Sequence, residues 1–187
     1  MAGIYVPLGV AEARYGVGQW GQQMARQFKS NYVKTEEKPV WSVPDENYSI
    51  YIPRISAKSR VVGNVNAGSE KEYLAALKLG VAEAVGLGHP GSVGTTYLFA
   101  HSTDSPINFA RYNAVFYLLD KLEVGDGIEV VYRGKLYKYE VTKFQVLDAG
   151  DVRYLTPQRT EEILVLQTCY PAGTFWKRLV VVARPTH

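Results

Sequence analysis

The chain holds one cysteine among its 187 residues, and that scarcity excludes a good deal. A single thiol closes no intrachain disulfide and supplies no cysteine-rich zinc site. Charge of one sign is equally scarce. The 21 basic and 18 acidic residues leave a net charge of +3, scattered along the chain without the Lys/Arg cluster that marks a nucleic-acid footprint. No run reaches the roughly 18 consecutive apolar residues of a helical membrane span, and the first residues lack the charged-then-apolar pattern of an export signal. There is no acidic cluster to hold calcium. The glycine-rich stretch 86–94 lacks the Gly-Lys-Ser/Thr ending of a phosphate loop and reads as turn chemistry. No cofactor or metal is expected.

What is present is an ordinary globular composition, 47% hydrophobic and 21% charged, in a chain long enough for one domain with a sizeable core. Fourteen tyrosines and nine prolines suit many short strands joined by loops, so the expected class is mainly β. Residues 1–47 stand apart. Ala13, Val17, Trp20, Met24 and Phe28 recur at helical steps, and a polar, proline-containing linker follows; an N-terminal helical segment is expected ahead of a domain over 48–187.

Within that domain, strands are predicted at 48–53, 60–63, 95–100, 128–132 and 136–147, the last two joined by a tight turn at Arg133-Gly134-Lys135. Ser69 followed by Glu72 is a capping-box signature for a short helix with Tyr73, Leu74 and Leu77 on one face, closed by Gly80. Residues 108–122 carry apolar side chains at helical steps and predict one or two turns. His89, in a Gly-Pro turn, is expected to be exposed.

The stretch that makes a chemical proposal is Ile163-Leu164-Val165-Leu166-Gln167-Thr168-Cys169, a buried strand running out to an exposed end and broken by Pro171. Nine residues beyond the thiol, Arg178 opens Leu179-Val180-Val181-Val182-Ala183. An antiparallel pairing of the two puts a fixed cation near the sulfur. His101 ends another predicted strand at the point where it becomes loop. A thiol with an ordinary pKa of about 8.5 is mostly un-ionised near neutrality. A neighbouring imidazolium stabilises the thiolate and can protonate a leaving amine. A guanidinium can hold a carbonyl or a developing oxyanion but cannot act as the acid. The division of labour suits acyl transfer through a thioester.

These residues resemble the sortases, the cysteine transpeptidases of Gram-positive type. Val165-Leu166-Gln167-Thr168-Cys169 is similar to the family's Thr-Leu-x-Thr-Cys, departing in Val165. Phe99-Ala100-His101-Ser102 resembles its Gly-His segment with Ala in place of Gly, and Arg178-Leu179 matches its Arg-Leu-x-Val strand. Pro90-Gly91-Ser92-Val93-Gly94 and Leu122-Glu123-Val124-Gly125-Asp126 are similar to its turns. The likeness runs over about residues 48 to 185, in the order His, Cys, Arg; papain-like proteases have Cys before His.

The resemblance implies an eight-stranded sortase β-barrel with short helices, and a surface enzyme that cleaves a Leu-Pro-x-Thr-Gly-type sorting motif. It would pass the acyl group to an amine acceptor, a cell-wall peptide or a pilin lysine. It implies Cys169 as nucleophile, His101 as general acid and base, Arg178 as clamp and oxyanion support, and Thr168, Ala100 and Leu166 as substrate-binding. It also implies the outer face of the cell membrane, through an anchor absent from this chain. The competing reading is a non-catalytic extracellular β-barrel binding or scaffold module in which Cys, His and Arg coincide by chance.

Overall fold

The computed structural model describes residues 38–102, 115–158 and 160–186. The N-terminal helical segment expected before residue 38 and the turns expected at 108–114 lie outside the described residues. Eight strands form a closed barrel: β1 (Tyr48–Ile52), β2 (Ala57–Val65), β3 (Val81–Ala84), β4 (Gly94–Phe99), β5 (Gly127–Tyr132), β6 (Lys135–Asp148), β7 (Glu162–Tyr170) and β8 (Lys177–Pro185). Around the barrel they run β1-β2-β3-β4-β7-β8-β6-β5. Among the described residues one α-helix, α1 (Glu70–Leu77), bridges β2 and β3. The 115–122 stretch contributes a single 3-10 turn at Leu119–Lys121.

Alternation decides which side chains fill the barrel. Ile50 and Ile52 of β1, Ile128 and Val130 of β5, Leu164 and Leu166 of β7 and Val181 of β8 are fully buried. At about 1.5–3 kcal/mol for each such side chain removed from water, this inward set supplies the main driving force for closure. The turn between β5 and β6 is a two-residue hairpin in which Arg133 and Gly134 both have positive φ, 52° and 76°, the conformation whose twist matches paired strands.

The structure departs from expectation in β2, in β3 and at the cap of α1. Strand β2 spans nine residues, because β1 pairs with it from Ala57 to Arg60 and β3 carries the pairing on to Val65, past the Gly63 that was expected to end it. Strand β3, Val-Ala-Glu-Ala, went unforeseen because Ala and Glu are poor strand formers; it is nonetheless buried along its whole length. Ser69 stands at the N-cap of α1 but its side chain makes no capping hydrogen bond.

His89 is a further correction. Its ring is half-buried, stacks on Tyr132 with centroids 5.5 Å apart, and lies with Nδ1 2.9 Å from Oε1 of Glu83. Glu83 is 1% exposed and also accepts a 2.7 Å hydrogen bond from the Tyr48 hydroxyl. A carboxylate inside a barrel needs such partners to offset lost hydration, so His89 and Tyr48 serve the fold by satisfying it.

Candidate active site

Two strand pairings set the site. Strands β7 and β8 are antiparallel, and their register sets Cys169 directly opposite Arg178. Strands β4 and β7 are parallel, with Phe99 opposite Gln167. His101 follows two residues beyond the last pair of that ladder. All three line one cleft of about 650 Å³.

The strands of the floor are held together past their last ladder pair. The Ala100 amide donates to the Gln167 carbonyl at 3.2 Å, and the Thr168 hydroxyl donates to the Ala100 carbonyl at 3.1 Å. The strand end that presents His101 is thereby fastened to the one that presents Cys169. Arg178 is anchored through one guanidinium nitrogen, which donates to the carbonyls of Phe175 at 3.2 Å and Lys177 at 3.0 Å. A planar fork anchored at one corner still presents its other donors to the cleft.

Glu70, Tyr73, Leu74 and Leu77 of α1 form one wall of the cleft, and Asp151, Val152 and Leu155 another. Tyr73 and Leu74, on the helix face they were expected to share with Leu77, stay half-exposed because that face borders this opening. Arg153 donates from Nε and Nη2 to the Asp151 carboxylate and holds it below the usual carboxylate range. Burial pushes the Tyr97 hydroxyl well above its ordinary value; the Arg178 charge opposes the shift and Asp151 adds to it. Tyr97 therefore stays protonated between these charges and donates to Oε1 of Gln167.

Among the residues expected to meet substrate, Ala100 lines the cleft. Leu166 and Thr168 do not: they are 0% and 3% exposed and face the barrel interior. The reason is the two-residue period of a strand, which turns 165, 167 and 169 outward together and 166 and 168 inward. Gln167 and Tyr97 were overlooked, although counting back by two from the cysteine points to Gln167. Among the described residues there is no cluster of three or more side chains able to hold a metal ion.

A sortase domain model matches residues 50–186. The chain belongs to the sortase family. Sortase D of Bacillus subtilis (strain 168) is 26% identical over 136 residues, 71% of this chain and 60% of that protein, so this sortase chain spans about three-fifths of the length of that curated relative. Among solved structures, the sortase C of Clostridium perfringens SM101 is 26% identical with a TM-score of 0.58, covering 74% of this chain and 68% of that one. The sortase A of Corynebacterium diphtheriae is 25% identical with a TM-score of 0.62, covering 81% and 62%. A Clostridium perfringens sortase D5 transpeptidase, 22% identical, shares the fold over 86% of this chain and 93% of its own, with a TM-score of 0.62. The mainly β class expected from the residues and the eight-stranded barrel implied by the resemblance are thus the fold found.

Proposed function

We propose that the protein is a cysteine transpeptidase that joins surface proteins to an amine. The Cys169 thiolate attacks the Thr carbonyl of a Leu-Pro-x-Thr-Gly-type sorting motif, and the tetrahedral intermediate collapses as the Thr–Gly bond breaks. The His101 imidazolium protonates the departing Gly amine, leaving a thioester on Cys169 and a neutral imidazole. An incoming amine, from a cell-wall peptide or a pilin lysine, attacks the thioester and loses its proton to His101. The thiolate is restored. Arg178 donates to the oxyanion in both steps, a stabilisation that a fixed cation in a partly water-excluded cleft provides at no reorganisation cost.

The reading is supported above all by the register that sets Arg178 opposite Cys169 and by the cleft that His101 lines together with both. On this reading residues 48–187 form the catalytic domain and 1–47 an N-terminal helical segment with its linker. The enzyme works at the outer face of the cell membrane. Among the described residues no helix is long and apolar enough to cross a membrane.

The test is cleavage of a quenched Leu-Pro-x-Thr-Gly-type peptide, with mass analysis of products in the presence of candidate amines. Wild-type enzyme gives an acyl-enzyme adduct on Cys169, and Cys169→Ala gives neither adduct nor product while melting as wild type does. Substantial turnover by Cys169→Ala would exclude the covalent route.

A further inference from the structure

The outward side chains of β4, β7 and β8 form rows across the cleft floor. The first row is His101, Cys169 and Arg178. Behind it come Phe99 and Gln167, register partners that both line the cleft, with the buried Val180 paired to Gln167 on its other side. Gln167 is therefore the polar centre of an otherwise apolar row, directly behind the nucleophile, and it lines the cleft.

Its orientation is set from one side. The Tyr97 hydroxyl, kept protonated by burial, donates to Gln167 Oε1. An amide whose oxygen is held by a donor turns its nitrogen the opposite way, and that nitrogen carries two hydrogens. No second hydrogen bond to the Gln167 side chain is made among the described residues. The outcome is an aimed donor in the floor of an open cleft.

Resting on the transpeptidase reading above, we propose that Gln167, oriented by Tyr97, donates a hydrogen bond to a main-chain carbonyl of the bound peptide about two residues before the acylated one, and so sets the peptide's register in the cleft. The spacing supports this. Strand residues advance about 3.3 Å each, so positions 167 and 169 are roughly 6.6 Å apart, the repeat of two residues in an extended peptide. The direction follows from the reaction. The acyl half must stay bound through the second step, so it occupies the enclosed floor behind Cys169, while the leaving half departs past the strand end at Tyr170 and Pro171. A carbonyl laid beside Phe99 on this floor would lose its hydration with no partner; the Gln167 amide supplies one. Recognition of main chain tolerates varied side chains at that point of the substrate while fixing which carbonyl reaches the sulfur.

The test compares wild type with Gln167→Leu, Gln167→Glu and Tyr97→Phe. It measures kcat and KM on the quenched peptide, the rate of Cys169 alkylation by iodoacetamide, and the melting temperature. Gln167→Leu removes the donor at similar volume, and Gln167→Glu keeps the acceptor for Tyr97 but replaces the donor with an oxygen. Both are expected to lower kcat/KM about five- to tenfold, mainly through KM, the loss that one hydrogen bond of this kind accounts for. Tyr97→Phe, which frees the amide to rotate, is expected to lower it about two- to threefold. Alkylation should stay within about twofold of wild type throughout, since a small reagent needs no peptide register. Wild-type kinetics in Gln167→Leu or Gln167→Glu would overturn the inference, and so would losses that merely follow slower alkylation or a lower melting temperature, because those mark a structural role. Failure of the wild-type enzyme to process the peptide would overturn the transpeptidase reading and this one with it, an outcome distinct from the other two.

Discussion

Replacing Thr168 by Val removes one hydroxyl and leaves the shape of the side chain almost unchanged. In the structure that hydroxyl donates to the Ala100 carbonyl at 3.1 Å from a side chain only 3% exposed. A lost hydrogen bond costs about 0.5–1.5 kcal/mol net, rising to about 3 kcal/mol where the abandoned carbonyl stays dry. Ala100 is buried but borders an open cleft, so the upper limit does not apply. We expect a loss of about 1–2 kcal/mol, or roughly 2–8 °C in melting temperature for a domain of this size. Activity should suffer beyond the stability loss, because the bond fastens the strand end that carries His101 to the one that carries Cys169. Thermal melts and kcat/KM on the sorting peptide, with Thr168→Ser as control, separate the hydroxyl from the methyl. Full activity and stability in Thr168→Val would refute the argument, and so would Thr168→Ser behaving as badly as Val.

Arg178→Lys keeps the charge but offers one ammonium where the fork served both the loop carbonyls and the cleft; kcat should fall about 10²- to 10³-fold, as for loss of an oxyanion donor, and unchanged kinetics would mean that the guanidinium only holds the loop. Gly91 has φ of +80°, and a Cβ there would lie 2.3 Å from the Tyr137 ring, so Gly91→Ala should destabilise by about 1–3 kcal/mol in urea unfolding. Burial pushes Tyr48, Tyr97 and Tyr139 all above the ordinary tyrosine value. Since each folded value exceeds the unfolded one, the stability they contribute is whole below about pH 10 and is lost as the pH rises above it, at about 1.4 kcal/mol per pH unit for each group. Denaturant midpoints measured from pH 9 upward, alongside phenolate absorbance, check this; a flat profile through pH 11 would contradict the burial.

Much of the site was legible because it lies in strands whose pattern is local. The apolar run into Cys169, the Arg that opens the next run, and the short loop between them fix an antiparallel pair, and the structure has that pair in the expected register. His101 was recognisable as a polar residue at a strand end, but its closeness to Cys169 depends on the parallel β4–β7 pairing between segments some 68 residues apart, which no local pattern encodes. Strand β3 was hidden by its Ala and Glu. The inward burial of Leu166 and Thr168 was readable from alternation, and expecting them at the substrate overlooked the face on which Cys169 itself stands. His89 escaped because its partner, Glu83, lies in the strand that went unseen.

Strand β7 is slotted between β4 and β8, and it joins the barrel after six other strands have been synthesised. Until it arrives, the edge of β4 has no neighbour on that side, and the imidazole waits without its thiol. β8, the last strand made, then fills the place between β7 and β6 and closes the barrel, and only with it does Arg178 stand opposite Cys169. A nascent chain stalled before β8 has both an open barrel and an incomplete cleft, so closure of the fold and completion of the cleft arrive together.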